Sequence, residues 1–238
     1  ALSGESADEV FGGYSWFHDP RAVGAATFPW LGPISPPSIA SKVLDAGLLE
    51  RLNLAEFEAD SYAQAIAETP VHKGEDAVER RMREISYLHL TRFVQFLLDR
   101  KDRLSMAVGL EVRVPFCDHR LVEYVFNIPW RMKTFDGREK SILRAAMREL
   151  LPNSIVERQK SPYPATQDPA YEKAVRAEVA GILEDRSHPA MPLLNRKRIE
   201  DMLAEPLGTS SSLFERAGFE RVRSISDWVK DYGVVLEV

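Results

Sequence analysis

Sulfur chemistry is nearly absent from this chain, in which one cysteine, Cys117, stands among 238 residues. That excludes an internal disulfide and any zinc site built from several cysteines, and it suits a reducing cytoplasm. Long apolar runs are absent as well: nothing approaches the roughly 18 residues of a membrane span. A basic excess is missing too. The 31 Lys and Arg face 36 Asp and Glu, for a formal charge of −5, so no broad positive surface exists to hold nucleic acid or an anionic membrane. Any anionic ligand must therefore meet a local cluster. His18, His72, His119 and His188 lie at no metal-ligand spacing from a second histidine. No repeat or low-complexity tract occurs.

What is present is concentrated at the start. Ser3-Gly4-Glu5-Ser6-Ala7-Asp8-Glu9-Val10-Phe11-Gly12-Gly13-Tyr14 gathers three carboxylates, two serine hydroxyls and three glycines. Glycine lets the backbone take positive φ or approach a ligand closely, and neighbouring acids can divide proton transfer from cation binding. The bland alternative is that Glu5 and Asp8 cap a helix beginning after Ser6. The chain opens Ala1-Leu2 and enters this cluster at once, as though at the carboxyl end of a strand cut from a longer protein.

The rest reads as helix. The length fits one large domain or two small ones, and a single core could bury roughly 70–75% of the unfolded surface. A proline-rich loop spans 28–38, and helices are expected at 40–52 and 54–66. Val78, Met82, Ile85, Leu88, His89, Phe93, Phe96 and Leu97 recur at three- and four-residue steps, predicting a central helix. His89 is expected as a hydrogen-bonded core residue. Arg80, Arg81 and Arg83 fall on the opposite side, where a solvated charged face is expected and an anion site is the alternative. Further helical turns follow at 102–108, an extended segment at 110–116, and a helix capped by Asp118. A helix over 138–151, a break at Pro162 and Pro164, and a helix from Pro169 to about Glu184 come next, with shorter helices around Ile199, Phe214 and Trp228. Strands are expected only as vestiges near Leu2 and Glu111. Ion pairs Glu111–Arg113 and Asp102–Arg103 are expected to be structural.

The opening run resembles the S-G-E-G-x-D-E-x-F-G-G-Y signature of the glutamine-hydrolysing asparagine synthetases. Three further blocks agree in order and spacing: Asp102-Arg103-Leu104-Ser105-Met106-Ala107; Gly109-Leu110-Glu111-Val112-Arg113-Val114-Pro115-Phe116-Cys117-Asp118-His119-Arg120; and Arg138-Glu139-Lys140 leading to Arg158-Gln159-Lys160. The match covers roughly residues 2–165. It implies a mainly α fold, the helical C-terminal portion of an α/β, PP-loop pyrophosphatase-like synthetase domain whose N-terminal strands lie outside this sequence. On that reading 1–238 is one partial domain, in which residues 1–165 bear the motifs and residues 166–238 form a helical region.

The implied activity is ATP-dependent amidation: aspartate is adenylated on its side-chain carboxylate, pyrophosphate leaves, and ammonia displaces AMP to give asparagine. Such chemistry needs cations at the transferring phosphate and a base near the acyl carbon. The resemblance makes Glu5 the base, Lys160 the principal catalytic cation, Lys140 a second phosphate contact and Asp8 a Mg²⁺ ligand, while Ser3 and Gly4 hold nucleotide or acyl-adenylate. ATP and Mg²⁺ are the implied cofactors, and aspartate and ammonia, released from glutamine in the full-length enzyme, the other substrates. A homodimer of the full-length form fits the same resemblance.

Departures from the pattern carry information. Ser6 replaces the family's usual glycine, and Cys117 stands where many members carry leucine, which reads as a small buried apolar residue. The Cys-dependent glutaminase domain and the S-G-G-x-D-S pyrophosphate loop implied ahead of this region are not in this sequence, so the chain alone is expected to hold half an active site and to be inactive. Alternatives are a β-lactam synthetase-like cyclase, whose members place tyrosine where Glu5 stands, and a non-catalytic helical interaction module.

Overall fold

A computed structural model describes residues 1–33, 40–161, 168–206 and 212–236. The Pro162/Pro164 break and the end of the proline-rich loop lie outside the described residues. Among those residues the regular structure is helical, and β pairing is limited to two isolated bridges, Leu2 with Arg113 and Leu44 with Leu194. No described helix is long and apolar enough to cross a membrane. The chain divides into two compact units, Ala1–Pro36 with Glu58–Ser161, and Pro37–Phe57 with Pro162–Val238.

The first unit is organised by the central helix, which is longer than its apolar pattern predicts. Ala77–Leu88 passes through a π turn, His89–Phe93, into Val94–Met106, so the turns expected near 102 continue the same helix. Asp76 caps its start by accepting from the Glu79 N–H at 2.8 Å. Met82, Ile85, Leu88 and His89 are buried as the spacing requires, but Val78 and Phe96 are exposed. The π turn explains Phe96. One extra residue per turn rotates the following face by about 100°, which turns Val94 inward and Phe96 outward.

The arginine side departs from expectation too. Arg81 donates to the carbonyls of Val23 and Ala25 at 2.7 and 2.8 Å and to the Tyr62 hydroxyl at 2.8 Å. Arg83 pairs with Glu75 and lies over the Phe126 ring, 5.0 Å from its centroid. These guanidiniums tie loops and helices to the central helix; only Arg80, paired with Glu84 at 3.1 Å, keeps a face to water.

His89 is the core residue expected. It is fully buried, accepts from the Trp16 indole N–H at 2.7 Å, and sets Nδ1 2.7 Å from the Ile85 carbonyl. Phe17, Trp30 and Phe93 pack around it with ring centroids 4.3–5.6 Å away. Burying such aromatic faces contributes on the order of 2 kcal/mol each, which fixes the segment after Tyr14 against the central helix.

Elsewhere in this unit Asp118 caps His119–Phe126 by accepting from the Arg120 N–H at 2.9 Å. The helix expected over 138–151 is only Ser141–Met147. It is cut short because Lys140 sits in the left-handed region at φ 56°, outside the helix.

In the second unit Pro169–Glu184 begins with proline in its first turn, as read from the sequence, and is capped by Asp168. Val175, Val179 and Leu183 on its inner face pack with Ile199 and Met202 of Arg196–Ala204, with Phe219, Val222 and Val229 of Ser212–Asp231, and with Val43. Arg176 closes the end of Arg196–Ala204 by donating to the carbonyls of Leu203 and Glu205 at 2.8 and 2.5 Å.

Candidate functional site

The opening motif is held between two apolar contacts. Val10 and Phe11, on the short helix Ala7–Phe11, are buried with Val125 of His119–Phe126 and against Leu90 and Phe116. Ahead of that helix, the Ser3 N–H donates to the Arg113 carbonyl at 2.9 Å and the Arg113 N–H to the Ala1 carbonyl at 2.8 Å. This pairing, the vestige of strand expected near Leu2, docks the motif on the 110–116 segment.

The capping alternative is not what the structure shows. The residue before the helix, Ser6, makes no side-chain cap bond. Both Asp8 oxygens are used elsewhere: Lys140 Nζ donates to Oδ1 at 2.8 Å and Lys160 Nζ to Oδ2 at 2.5 Å. Segments 132 and 152 residues further along the chain thus converge on one carboxylate. Burial pushes the Asp8 carboxyl up, but the two ammonium groups more than offset it, and the net shift is downward. Asp8 is ionised between two cations.

Glycines make that arrangement possible. Gly12 takes φ +69°, and a Cβ there would strike the Trp130 ring at 2.4 Å. At Gly13 a Cβ would lie 1.9 Å from Asp8 Oδ1 and 2.9 Å from Asp8 Cα. Close approach, not positive φ, is what position 13 requires. Gly4 is different. Its Cβ direction meets nothing within 4 Å, so its backbone is open to an approaching ligand.

Glu5 sits apart from the lysine pair on Asp8. Its Oε1 lies 3.2 Å from Lys101 Nζ, which also donates to Ser3 Oγ at 3.0 Å. Oε2 is buried and has no hydrogen-bond partner. A buried, unmatched carboxylate oxygen is costly unless something else uses it.

Two further groups complete the site. Lys160 Nζ rests 4.2 Å from the centroid of the Tyr14 ring, a cation–π contact. The Tyr14 hydroxyl donates to Glu9 Oε1 at 2.6 Å, and Glu9 is buried at 1% exposure. Burial pushes the Glu9 carboxyl up, and the Tyr14 hydrogen bond only partly opposes it. Tyr14 is pushed far up, by burial first and then by Glu9, so its hydroxyl stays protonated.

All six residues singled out in the sequence, Ser3, Gly4, Glu5, Asp8, Lys140 and Lys160, therefore belong to one neighbourhood of the first unit. Sequence reasoning does not reach Lys101, Glu9 and Tyr14 as site residues. Lys101 immediately precedes the Asp102 block, and that adjacency is the signal that could have found it. As for a metal, no group of three or more His, Cys, Asp or Glu among the described residues could hold one. Asp8, with its side chain 26% exposed, would take Mg²⁺ beside substrate phosphates only by sharing or releasing the Lys140 and Lys160 contacts that occupy both its oxygens.

Ser6 and Cys117, the two positions that depart from the family pattern, touch each other, Oγ to Sγ, at 2.5 Å. Ser6 takes φ 73°, the left-handed conformation a glycine would adopt without strain.

Comparison with known proteins decides the family. The profile described as asparagine synthase matches residues 1–229. The chain belongs to the asparagine synthase family. It is 47% identical over 210 residues to asparagine synthetase [glutamine-hydrolyzing] 3 of Bacillus subtilis (strain 168), covering 88% of this chain and 33% of that relative. It is 32% identical over 163 residues to the Gallus gallus asparagine synthetase [glutamine-hydrolyzing], covering 66% of this chain and 27% of the relative. For the Homo sapiens enzyme of the same name the figures are 38% over 94 residues, 38% of this chain and 15% of the relative. The chain thus spans a third or less of the length of these curated relatives.

Proposed function

We propose that this chain supplies the carboxylate-activating and amidating side of an ATP-dependent asparagine synthetase, as the helical portion of an α/β synthetase domain in a longer polypeptide that also carries a glutaminase domain and a pyrophosphate loop. The observation that carries this reading is the convergence of Lys140 and Lys160 on Asp8, three residues along the chain from Glu5 with its unmatched oxygen.

The aspartate β-carboxylate attacks the α-phosphorus of ATP and pyrophosphate leaves. Ammonia then attacks the acyl carbon, and AMP departs with one oxygen of the original carboxylate. Two lysines against one aspartate leave the cluster with a net positive charge, suited to a leaving pyrophosphate. Lys160 is aimed by the Tyr14 ring and Asp8, and Lys140 reaches the same carboxylate from a left-handed turn. Glu5 takes the proton that ammonia sheds, with Lys101 fixing one oxygen and leaving the other free. Ser3 Oγ and the open backbone at Gly4 hold the acyl-adenylate. Asp8 would hold Mg²⁺, which supplies charge neutralisation at the phosphates.

The test uses the full-length parent enzyme with aspartate labelled by ¹⁸O in its side-chain carboxylate. Adenylation delivers ¹⁸O to AMP; label appearing in inorganic phosphate instead would replace adenylation with acyl-phosphate chemistry. Glu5→Gln should lower ammonia-dependent synthesis about 10²–10⁴-fold, and turnover near the parental rate would remove Glu5 from the role of base.

A further inference from the structure

Lys140 and Lys160 reach Asp8 from two pieces of chain that regular structure alone does not fix. Lys140 stands outside the helix Ser141–Met147 in the left-handed region, a conformation that persists for a non-glycine residue only where its surroundings impose it. Lys160 lies beyond Val156, the last residue of a single helical turn, Asn153–Val156, and one turn of helix does not hold itself in water. Another contact must set the spacing of the two lysines.

One guanidinium touches both pieces. Arg144 Nε donates to the Glu139 carbonyl at 3.0 Å, Nη2 donates to Glu139 Oε1, and Nη1 donates to the Val156 carbonyl. The Glu139 carbonyl belongs to the peptide plane that enters Lys140, so holding it fixes the φ from which that lysine departs. The Val156 carbonyl lies at the C-terminal end of its turn, where a cationic side chain can take an acceptor the helix leaves over. A second arginine runs in parallel: Arg138 donates to Asp136 Oδ2 at 3.0 and 2.9 Å and also pairs with Glu157. The two links differ in burial. Arg144 and Glu139 side chains are 12% and 24% exposed, against 37% and 54% for Arg138 and Glu157, so water screens the Arg138 pair more and leaves Arg144 the stronger tie.

We propose that Arg144 is a positioning residue for both cations: through Glu139 and Val156 it sets the spacing at which Lys140 and Lys160 meet the triphosphate. The inference rests on the role proposed above for those lysines. A guanidinium suits the task because donors spread across one rigid plane reach acceptors on two segments at once, whereas an ammonium is a compact point charge on a flexible stem. Since the two lysines serve the leaving pyrophosphate, the loss of Arg144 falls on adenylation itself and not only on the ammonia step.

The test uses the full-length parent enzyme and measures aspartate-dependent exchange between ATP and pyrophosphate. Arg144→Met should slow exchange about 10²-fold, the scale of an ångström-level misplacement, with the loss in kcat and little change in KM for aspartate. Arg144→Lys should stay about tenfold or more below the parent, because restoring the charge does not restore the fork. The decisive measurement is coupling. In a Lys160→Met background, adding Arg144→Met should cost no more than about tenfold, since one of the two cations it aims is gone. The full loss in both backgrounds is what general damage to the fold gives, and it would overturn the inference. Should Arg144→Met not fold, Glu139→Ala removes one contact and keeps the other two; exchange should fall about tenfold, the scale of one hydrogen bond to a charged group, and parental exchange there would overturn the inference. A slow Lys160→Met beside a parental Arg144→Met would overturn this inference alone, whereas parental exchange in Lys160→Met would overturn the role of the lysines and this inference with it.

Discussion

Ser6 and Cys117 bring the two departures from the family pattern into one contact, with the serine hydroxyl 2.5 Å from the cysteine sulfur. A residue strained at φ 73° is thereby anchored by a partner 111 positions away. Burial raises the Cys117 thiol, and the Ser6 hydrogen bond only partly opposes it, so the sulfur acts here as a thiol and not as a thiolate. Cys117→Leu alone should cost about 1–3 kcal/mol, because it orphans a hydroxyl that is 1% exposed. Adding Ser6→Gly should return most of that loss, since glycine removes both the orphan and the left-handed strain. Denaturant unfolding of the four members of this cycle should give a coupling of about 1 kcal/mol or more; strictly additive effects would show that the contact carries no energy.

Gly13→Ala tests whether the position of Asp8 matters. The new methyl would need the space Asp8 Oδ1 occupies, 1.9 Å away, so the carboxylate must move off Lys140. Overpacking of this kind costs about 1–3 kcal/mol. In the parent enzyme asparagine formation should fall roughly 10²-fold, the scale of an ångström-level misplacement. Gly4→Ala is the stability control: nothing lies within 4 Å of its Cβ direction, so the unfolding midpoint should stay near the parental value.

Much of this architecture is written in side-chain spacing. Met82, Ile85, Leu88 and His89 are buried because three- and four-residue steps mark one helix face, and Asp118 caps its helix because a carboxylate there meets free N–H groups. Other features leave no such trace. The central helix runs on through Asp99 and Arg103, supported by their own 2.8 Å ion pair and not by an apolar stripe, so a pattern search ends it early. The π turn at 89–93 is invisible for the same reason. Within the site, Glu5, Asp8, Lys140 and Lys160 were legible through motif blocks. Lys101 is not, because a lysine on a polar helix looks like any solvated one, and only its place just before the Asp102 block sets it apart.

His89 should govern the acid limb of stability. Burial lowers it to about 4, against the pull of the Ile85 carbonyl, while an unfolded histidine titrates near 6.5. The folded state therefore keeps the ring neutral while the unfolded state takes up a proton. The stabilisation is complete above about pH 6.5 and is lost progressively as pH falls toward 4. His89→Leu should flatten that part of the stability–pH curve. It should also cost about 1–3 kcal/mol at pH 7.5, because the Trp16 N–H loses its acceptor. Chemical denaturation from pH 4 to 8 measures both; an unchanged acid limb in the variant would assign the loss to other groups.

Lys101 is the residue through which the proposed base can be tested apart from the rest of the site. It holds Glu5 Oε1 at 3.2 Å and Ser3 Oγ at 3.0 Å, while the other Glu5 oxygen has no partner. If Glu5 serves the ammonia step, Lys101 acts first as a positioning residue for that step, and its contact with Ser3 Oγ leaves it only a smaller effect on adenylation. Lys101→Met in the parent enzyme should then leave aspartate-dependent exchange between ATP and pyrophosphate within a few-fold of normal, since that half-reaction runs without ammonia. Asparagine formation should fall about 10–10²-fold, with the loss in kcat and little change in KM for ATP. Lys101→Arg should recover some of the rate, because a guanidinium restores the charge but not the geometry of a compact ammonium. Equal loss of exchange and synthesis would instead make Lys101 a support of the whole motif, and the free Glu5 oxygen would need another explanation.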